Sequence, residues 1–306
     1  VENNIPTARF ITFDNSNIEK AVDFIKNLGK SNKSYDNDFN FPIVLKADGL
    51  AAGKGVVICQ KKEEAEIELI KMLQGKFGEA SNKIVIEEYL EGEEISIFAI
   101  TDGNDFITLS PAQDYKKVLD NDQGKNTGGM GSYSPVPFLD KNTETSIENK
   151  IIRPIISAMY EKGTPFKGCL YVGLILTKDG PKVLEFNARF GDPETQAILR
   201  LVEGDFTELL YSAARGNINK NAISIINEFA CCIVLASKGY PDDYQTGFEI
   251  TNIDKISDPD VKIYQAGTEI QNGKLLTNGG RVLNVSVRNA DYKTSIAKAY
   301  FYADLI

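Results

Sequence analysis

Apolar positions along the chain change their period several times, and each change marks an element. In residues 17–28, Ile18, Ala21, Val22 and Ile25 fall at helical spacing, with Ser16 placed to cap the helix and Gly29 to end it. Residues 30–40 are polar and asparagine-rich and read as an exposed loop. A short apolar strand follows at 41–45, then a glycine-rich turn, then a second strand at 56–59. Residues 61–74 are amphipathic at helical spacing, 84–88 form a strand, and 94–100 form another that ends at the Asp102-Gly103 turn signal. Residues 110–137 lose periodicity and are rich in glycine, asparagine and proline; so long a stretch inside a compact domain is a functional loop or disorder. Residues 143–162 read as a helix, and 169–177 with 182–186 as a hairpin across Lys178-Asp179-Gly180-Pro181. Residues 194–215 read as one helix with Leu199, Val202, Leu209 and Leu210 inward. From about 222 short strands (230–236, 262–265, 282–287) alternate with glycine-bearing turns, which marks a small separate domain bounded near 216–221. No internal repeat is present.

Composition narrows the chemistry. A chain of 306 residues has room for two or three packed units. The net charge of -9 argues against a general nucleic-acid or anionic-membrane binder, yet a few lysines and backbone N–H groups suffice for a phosphate ligand. No apolar run reaches membrane-spanning length, and the start, Val1-Glu2-Asn3-Asn4-Ile5-Pro6, has neither a basic region nor an apolar stretch of a signal peptide. That start also lacks methionine and reads as the interior of a longer chain. Cys59, Cys169, Cys231 and Cys232 sit in apolar, strand-like runs without a C-x-x-C pair, as small buried residues in a reducing, cytoplasmic setting would. The chain contains no histidine, which excludes a Ser-His-Asp triad, a Cys-His dyad and His-bound zinc or iron. Chemistry is left to carboxylates, lysine, arginine, amides, backbone groups and a hard cation such as Mg²⁺.

Four segments carry candidate chemistry. Residues 46–55, KADGLAAGKG, superficially match a P-loop. Three residues rather than four separate Gly49 from Gly53, however, Gly55 stands where Ser or Thr belongs, and a strand follows instead of a helix. A glycine-rich turn between two strands remains, able to fold over phosphates with Lys46 and Lys54; Lys46 alone reads equally well as an edge lysine. In residues 87–94, EEYLEGEE, an acidic run follows a buried strand: a solvated turn, or a domain crossing that offers backbone groups to an adenine edge and a carboxylate to a ribose. Gln113-Asp114-Tyr115-Lys116-Lys117 and then Asn126-Thr127-Gly128-Gly129-Met130-Gly131 form a loop whose glycines suit close approach to an anion, or plain flexibility. In residues 185–194, EFNARFGDPE, the period of two puts Glu185 and Asn187 on one strand face as oxygen ligands for Mg²⁺, with Arg189 able to neutralise phosphate or carboxylate charge. Asp192-Pro193-Glu194 starts a helix whose N-terminus is itself an anion site, and the bland reading of this segment is a salt-bridged strand end.

In this order the segments resemble the ATP-grasp superfamily and, within it, the phosphoribosylamine–glycine ligase (glycinamide ribonucleotide synthetase) family. NTGGMGSYSP at 126–135 and EFNARFGDPETQ at 185–196 are the specific stretches, and Ala236-Ser237-Lys238-Gly239-Tyr240-Pro241, Ala266-Gly267-Thr268 and Gly279-Gly280-Arg281-Val282-Leu283 extend the likeness to the end of the chain. The resemblance implies an α+β ATP-grasp fold with a mobile lid subdomain and a small β-rich C-terminal domain. Its expected parts are 1–38, the start of the core; 39–98, the lid; 99–220, the central subdomain with the metal and substrate site; and 221–306, the C-terminal domain. It implies ATP-dependent joining of glycine to 5-phosphoribosylamine through a glycyl phosphate, in purine synthesis, with ATP and Mg²⁺ or Mn²⁺ and without nucleic-acid or membrane partners. Other purine-pathway enzymes are further expected partners.

Carried over by position, Lys46, Gly53, Lys54 and Gly55 meet the ATP phosphates or shape the turn over them. Glu87, Tyr89 and Leu90 line the adenine crossing, and Glu94 takes the ribose. Glu185 and Asn187 hold the metal. Arg189 and Asp192, with Asn126, Thr127, Gly128, Gly129, Met130 and Gly131, face the glycyl phosphate, and Asp114 and Lys116 lie near the amine. Three departures stand out. Tyr115-Lys116-Lys117 replaces the family's His-Lys-Arg, the family's first α/β domain is not in this sequence, and its basic C-terminal motif is not either. Another ATP-grasp carboxylate–amine ligase and an ATP-binding fragment without turnover remain as alternative readings.

Overall fold

The computed structural model describes residues 2–28, 40–49, 55–121 and 123–306. The chain divides into two units, Pro6–Gly92 and a second made of Val1–Ile5 with Glu93–Ile306. The expected boundary at 38/39 lies outside the described residues.

In the first unit β1 (Phe10–Asp14), α1 (Ile18–Asn27), β2 (Ile43–Ala47), β3 (Val56–Cys59), α2 (Lys62–Lys71) and β4 (Lys83–Glu88) follow one another. The four strands form an antiparallel sheet in the order β1-β4-β2-β3. Register explains which face is covered. Leu45 pairs with Ile86 and Val57, and Ile43 pairs with Cys59, so these side chains share one face. That face packs with Phe24, Ile25, Leu69 and Met72 from the helical segments into one core. The alternate positions, Val44, Lys46, Val56, Ile58, Val85 and Glu87, therefore share the opposite face, where Val56 and Ile58 are exposed.

Two expectations for this unit change in detail. Ser16 does not cap α1: its hydroxyl donates to Asp14 Oδ1 at 2.5 Å, and Asp14 caps a short turn at Asn15–Asn17 instead. The expected helix at 61–74 is regular only to Lys71, then widens over Met72–Lys76, where Gly75 has φ +97°.

The second unit begins with β5 (Glu93–Thr101) and β6 (Phe106–Thr108), followed by four short strands: β7 (Gln113–Asp114), β8 (Lys117–Leu119), β9 (Gln123–Asn126) and β10 (Gly131–Ser134). Next come α3 (Lys141–Ile147), α4 (Arg153–Glu161) and the hairpin β11 (Gly168–Thr177) and β12 (Gly180–Asn187). The turn Glu148–Ile152 that joins α3 to α4 is widened, and Arg153 N–H reaches back to Glu148 O. Pro154 follows directly, and its ring would clash with the carbonyl four residues back in a regular helix. The rest comprises α5 (Glu194–Ile198), β13 (Val202–Gly204), α6 (Phe206–Arg215), β14 (Ile223–Ile225), β15 (Phe229–Ala236), β16 (Val261–Gln265), β17 (Thr268–Gln271), β18 (Lys274–Thr277), β19 (Arg281–Asn289) and α7 (Tyr292–Ala303).

The central sheet runs β12-β11-β5-β6 and is antiparallel. Ile95, Ile97 and Ala99 of β5, with Leu170, Val172 and Leu174 of β11, pack on Ile147, Ile151, Ile152 and Ile156. Phe98 and Ile100, with Cys169 and Tyr171, pack on the other side against Leu209 and Ala213 of α6. Burial on both faces makes β5 a nearly continuous apolar run rather than an alternating one.

A second antiparallel sheet, β16-β19-β15-β10-β7, takes two strands from the segment that looked structureless. Gln113–Asp114, Lys117–Leu119, Gln123–Asn126 and Gly131–Ser134 are thus paired strands, and β7 and β10 share their sheet with β15, β16 and β19. The expected helix at 194–215 is broken in the middle. Gly204 sits at φ +103°, where a Cβ would collide with Ala222 O, and Asp205 caps α6 by accepting from Glu208 N at 2.9 Å.

Ile86 lies at the centre of the first unit's core with no exposed surface. Ile86→Ala is expected to destabilise that unit by about 2–5 kcal/mol, as buried methyl deletions do. Urea unfolding followed by circular dichroism, since the chain has no tryptophan, should show an earlier midpoint.

Candidate active site

One face of the central sheet brings together three of the second unit's candidate residues, Glu94, Glu185 and Asn187. In register, Ser96 lies opposite Gly173 and Gly173 opposite Glu185; Phe98 lies opposite Tyr171 and Tyr171 opposite Asn187. Glu94, Ser96, Phe98, Tyr171, Gly173, Glu185 and Asn187 therefore share a face. The register shifts between Gly173 and Leu174, so that Leu184 is an extra residue on β12. This bulge lets Val183 enter the core beneath while Glu185 keeps to the opposite face. Gly173 leaves room there, because a Cβ would lie 3.1 Å from Glu185 Cγ.

Asn187 Nδ2 donates to Glu185 Oε1 at 3.1 Å, so the amide oxygen and the second carboxylate oxygen are the remaining donors. Among the described residues no group of three or more carboxylates and thiols gathers as a metal cage. Two neighbouring oxygen donors with solvent access fit Mg²⁺, which keeps waters and phosphate oxygens in its shell. Arg189 lies 5.8 Å above the Tyr171 ring and donates to Phe190 O at 2.9 Å.

Beside these lies a polar network that runs from buried Glu194 to half-exposed Lys116 and Glu94. Lys116 Nζ is 2.9 Å from Glu94 Oε2 and 3.7 Å from Asp114 Oδ1. Ser96 Oγ and Tyr171 Oη are 2.8 Å apart, and Ser96 Oγ is 3.4 Å from Glu194 Oε1. Glu194 is only 4% exposed. Burial raises the Asp114 carboxyl above the usual range and outweighs the pull of Lys116. Glu194 is raised too, by burial first and then by the Asp114 charge. Burial alone would lower Lys116, but Asp114 and Glu94 outweigh it and hold the ammonium protonated. Its side chain remains partly open to solvent, which screens the pair.

The 126–131 turn is fixed by protein contacts. Thr127 N–H donates to Lys116 O (2.7 Å), Gly128 N–H to Tyr240 Oη (2.9 Å), Gly129 N–H to Thr127 Oγ1 (3.0 Å) and Met130 N–H to Tyr115 O (2.7 Å). The glycines are accounted for by packing: a Cβ on Gly129 would collide with Pro193 Cδ, one on Gly131 would lie 2.8 Å from Cys232 O, and one on Gly128 2.9 Å from Arg281 Cζ. Close approach was the expected reason for these glycines, and the surface approached is the protein itself. Asp192 accepts from Gln196 Nε2 at 2.9 Å and from Arg281 Nη2 at 3.1 Å. Pro193 stands at the cap of α5, but that helix has five residues and is too short for an anion-binding terminus. Tyr115, where the family pattern has histidine, points away from Asp114 and stacks 6.0 Å from Tyr133.

On the first unit's sheet, Lys46 and Glu87 meet on the face opposite the core, Nζ to Oε2 at 2.6 Å. They are diagonal neighbours across β2 and β4. Glu88 pairs instead with Arg9, at 2.7 Å, while Tyr89 is exposed and Leu90 half-buried. Gly55 is buried and its carbonyl accepts from Ala47 N at 2.9 Å, closing the β2–β3 hairpin; Gly53 and Lys54 lie outside the described residues. Arg281, Tyr240, Ser96, Tyr171 and Glu194 had no assigned role in the sequence. The one legible signal was Ser96, a hydroxyl inside the apolar run ISIFAI.

The class is that of the ATP-grasp proteins, as the match of residues 1–195 to an ATP-grasp domain shows. The fold likeness agrees: the biotin carboxylase domain of a Hydrogenobacter thermophilus 2-oxoglutarate carboxylase, solved with MgADP and bicarbonate, superposes at TM-score 0.67 and 15% identity over 97% of this chain and 61% of its own. The phosphoribosylglycinamide synthetase ATP-grasp (A) domain matches residues 1–195 and the C domain of the same synthetase matches 230–306; the chain belongs to the phosphoribosylglycinamide synthetase family. It is 44% identical over 297 residues to a phosphoribosylamine–glycine ligase of Caldanaerobacter subterraneus, covering 97% of this chain and 68% of that protein. The crystal structure of the Thermotoga maritima phosphoribosylamine–glycine ligase matches at TM-score 0.86 and 34% identity, over 99% of this chain and 72% of that one. The trifunctional purine biosynthetic protein adenosine-3 of Bos taurus is 44% identical over 298 residues, 96% of this chain and 28% of its own length.

The raised Glu194 carboxyl makes a testable link between pH and stability. From about 4.5 upward the folded state binds this proton more tightly than the unfolded state, so its contribution to stability falls as pH rises through that window. Glu194→Gln removes the penalty. Its urea midpoint should gain on the wild type as pH rises above about 4.5 and hold that gain once the folded carboxyl has ionised. A difference that stays flat across that range would show that Glu194 is not desolvated as described.

Proposed function

We propose that this chain joins glycine to 5-phosphoribosylamine at the expense of ATP, giving glycinamide ribonucleotide, ADP and phosphate. Membership of the synthetase family supports the reaction, and the shared face of Glu94, Glu185 and Asn187 carries the assignment of residues to it. A glycine carboxylate oxygen attacks the γ-phosphorus and ADP leaves. The amine then attacks the carbonyl of the glycyl phosphate, phosphate departs, and the amine gives up one proton. No histidine or protein nucleophile is required, which suits a chain without histidine. Positioning and charge neutralisation do the work.

Lys46 takes an ATP phosphate and leaves Glu87 to do so, Tyr89 and Leu90 flank the adenine, and Glu94 accepts from the ribose. Glu185 and Asn187 hold Mg²⁺, with Mn²⁺ as a substitute; when bound, the metal offsets phosphate charge and screens it from the attacking carboxylate. Arg189 and Asp192 line the glycyl phosphate, with the 126–131 turn behind them. Asp114 and Lys116 face the amine. The trifunctional relative supports association with other purine-pathway activities. Among the described residues no helix is long and apolar enough to cross a membrane.

Two measurements test this. ADP release should require glycine and phosphoribosylamine together with ATP and Mg²⁺. Calorimetry should show Mg²⁺-dependent ATP binding that weakens at least ~10-fold in Glu185→Ala, as loss of a metal ligand or its support does. ADP release indifferent to glycine, in a chain that binds ATP, would reject the reaction.

A further inference from the structure

We propose that Arg281 is a positioning residue for the ligation, tying the 127–130 turn and Asp192 into one arrangement from the C-terminal sheet. The proposal rests on the assignment of that turn and Asp192 to the glycine side of the site.

Arg281 opens β19, and its side chain is 23% exposed. Nη1 donates to Gly128 O at 2.7 Å, Asp192 O at 3.0 Å and Gly129 O at 3.4 Å, and Nη2 to Asp192 Oδ2 at 3.1 Å. Three backbone carbonyls and a carboxylate from two separate segments thus converge on one planar cation. An ammonium on a flexible stem has no fork with which to reproduce that set. Gly128 must be glycine for the guanidinium to lie against it, since a Cβ would sit 2.9 Å from Cζ.

The arginine is itself held in place. Ser237 N–H donates to Gly280 O at 2.8 Å and Ser237 Oγ to Gly279 O at 2.7 Å, which fixes the chain just ahead of β19. Gly280 lies flat on Tyr240, where any Cβ would collide with the ring, and Tyr240 Oη accepts from Gly128 N at 2.9 Å. The turn is therefore gripped at its carbonyls by Arg281 and at an N–H by Tyr240. Lys125 adds an ion pair to Asp242 at 2.7 Å, but both side chains are exposed and screening makes it weak. Both terminal nitrogens of Arg281 engage protein acceptors, so its role is to place groups that meet substrate.

The test compares wild type, Arg281→Ala and Arg281→Lys for ADP release kinetics and for amide exchange at 127–130. Both variants should lose about 100-fold in kcat/KM for glycine, the size of effect that small misplacement of a reacting group produces, with KM for ATP unchanged. Amides of Gly128 and Gly129 should exchange faster, and methylguanidinium should restore part of the rate to Arg281→Ala and none to Arg281→Lys. Should Arg281→Ala fail to fold, Tyr240→Phe keeps the ring, removes one acceptor and gives the same exchange readout at Gly128. Wild-type kcat/KM in Arg281→Lys, or unchanged exchange at the turn, would overturn the proposal. A wild type that releases no ADP in response to glycine would count against the assigned reaction instead, and the exchange measurement would still decide whether the tie exists.

Discussion

The pairing of β5 with β11, buried on both faces, is the constraint from which the second unit follows. Because Ile95, Ile97 and Ala99 are covered by one helical layer and Phe98 and Ile100 by another, no water reaches the backbone between them. Any polar side chain on these strands must find a partner inside the protein. Ser96 finds Tyr171 and Glu194, and Glu194 in turn stands beside Asp114 and Lys116. The polar network is thus the edge of the core, where the apolar face of β5 gives way to Glu94. The bulge at Leu184 completes the arrangement, because it turns Glu185 onto the same face as Ser96 without exposing Val183.

What could be read in the sequence follows the same division. Strands with a strong apolar signal were legible almost to the residue: Val56–Cys59 is as expected, and the hairpin at 168–187 exceeds its expected ends by one residue at each outer end. The four strands at 113–134 were not legible, because they are two to four residues long and mostly polar, and β10 joins the larger sheet only through the distant β15. The break at Gly204 was missed because an isolated glycine is compatible with a helix until its φ is known. The shared face of Glu185 and Asn187 was legible from strand periodicity alone. Arg281 was not, since its partners are backbone carbonyls 89 or more positions away, and no local pattern encodes a contact of that kind. Tyr115 stands where the family pattern has histidine; strand alternation carries it to Tyr133 on the far side from Asp114.

Charge compensation sets how the site meets an anion. With a net charge of -9 the protein has no general attraction for polyphosphate, and its candidate cations are already matched: Lys46 with Glu87, Lys116 with Glu94 and Asp114, Arg281 with Asp192. On the function proposed above, a phosphate would compete with the Glu87 carboxylate for Lys46, which would weaken binding of ATP alone and favour an ATP whose charge is offset by a divalent cation. Arg189 differs. Among the described residues it has no carboxylate partner; its guanidinium rests on the Tyr171 ring and one carbonyl. A ring quadrupole steadies the cation without cancelling its charge. An uncompensated arginine next to Glu185 and Asn187 is most stabilised by an anionic group that appears there during the reaction. On the route proposed above that group would be the glycyl phosphate, and Arg189, rather than the paired lysines, the cation to meet it.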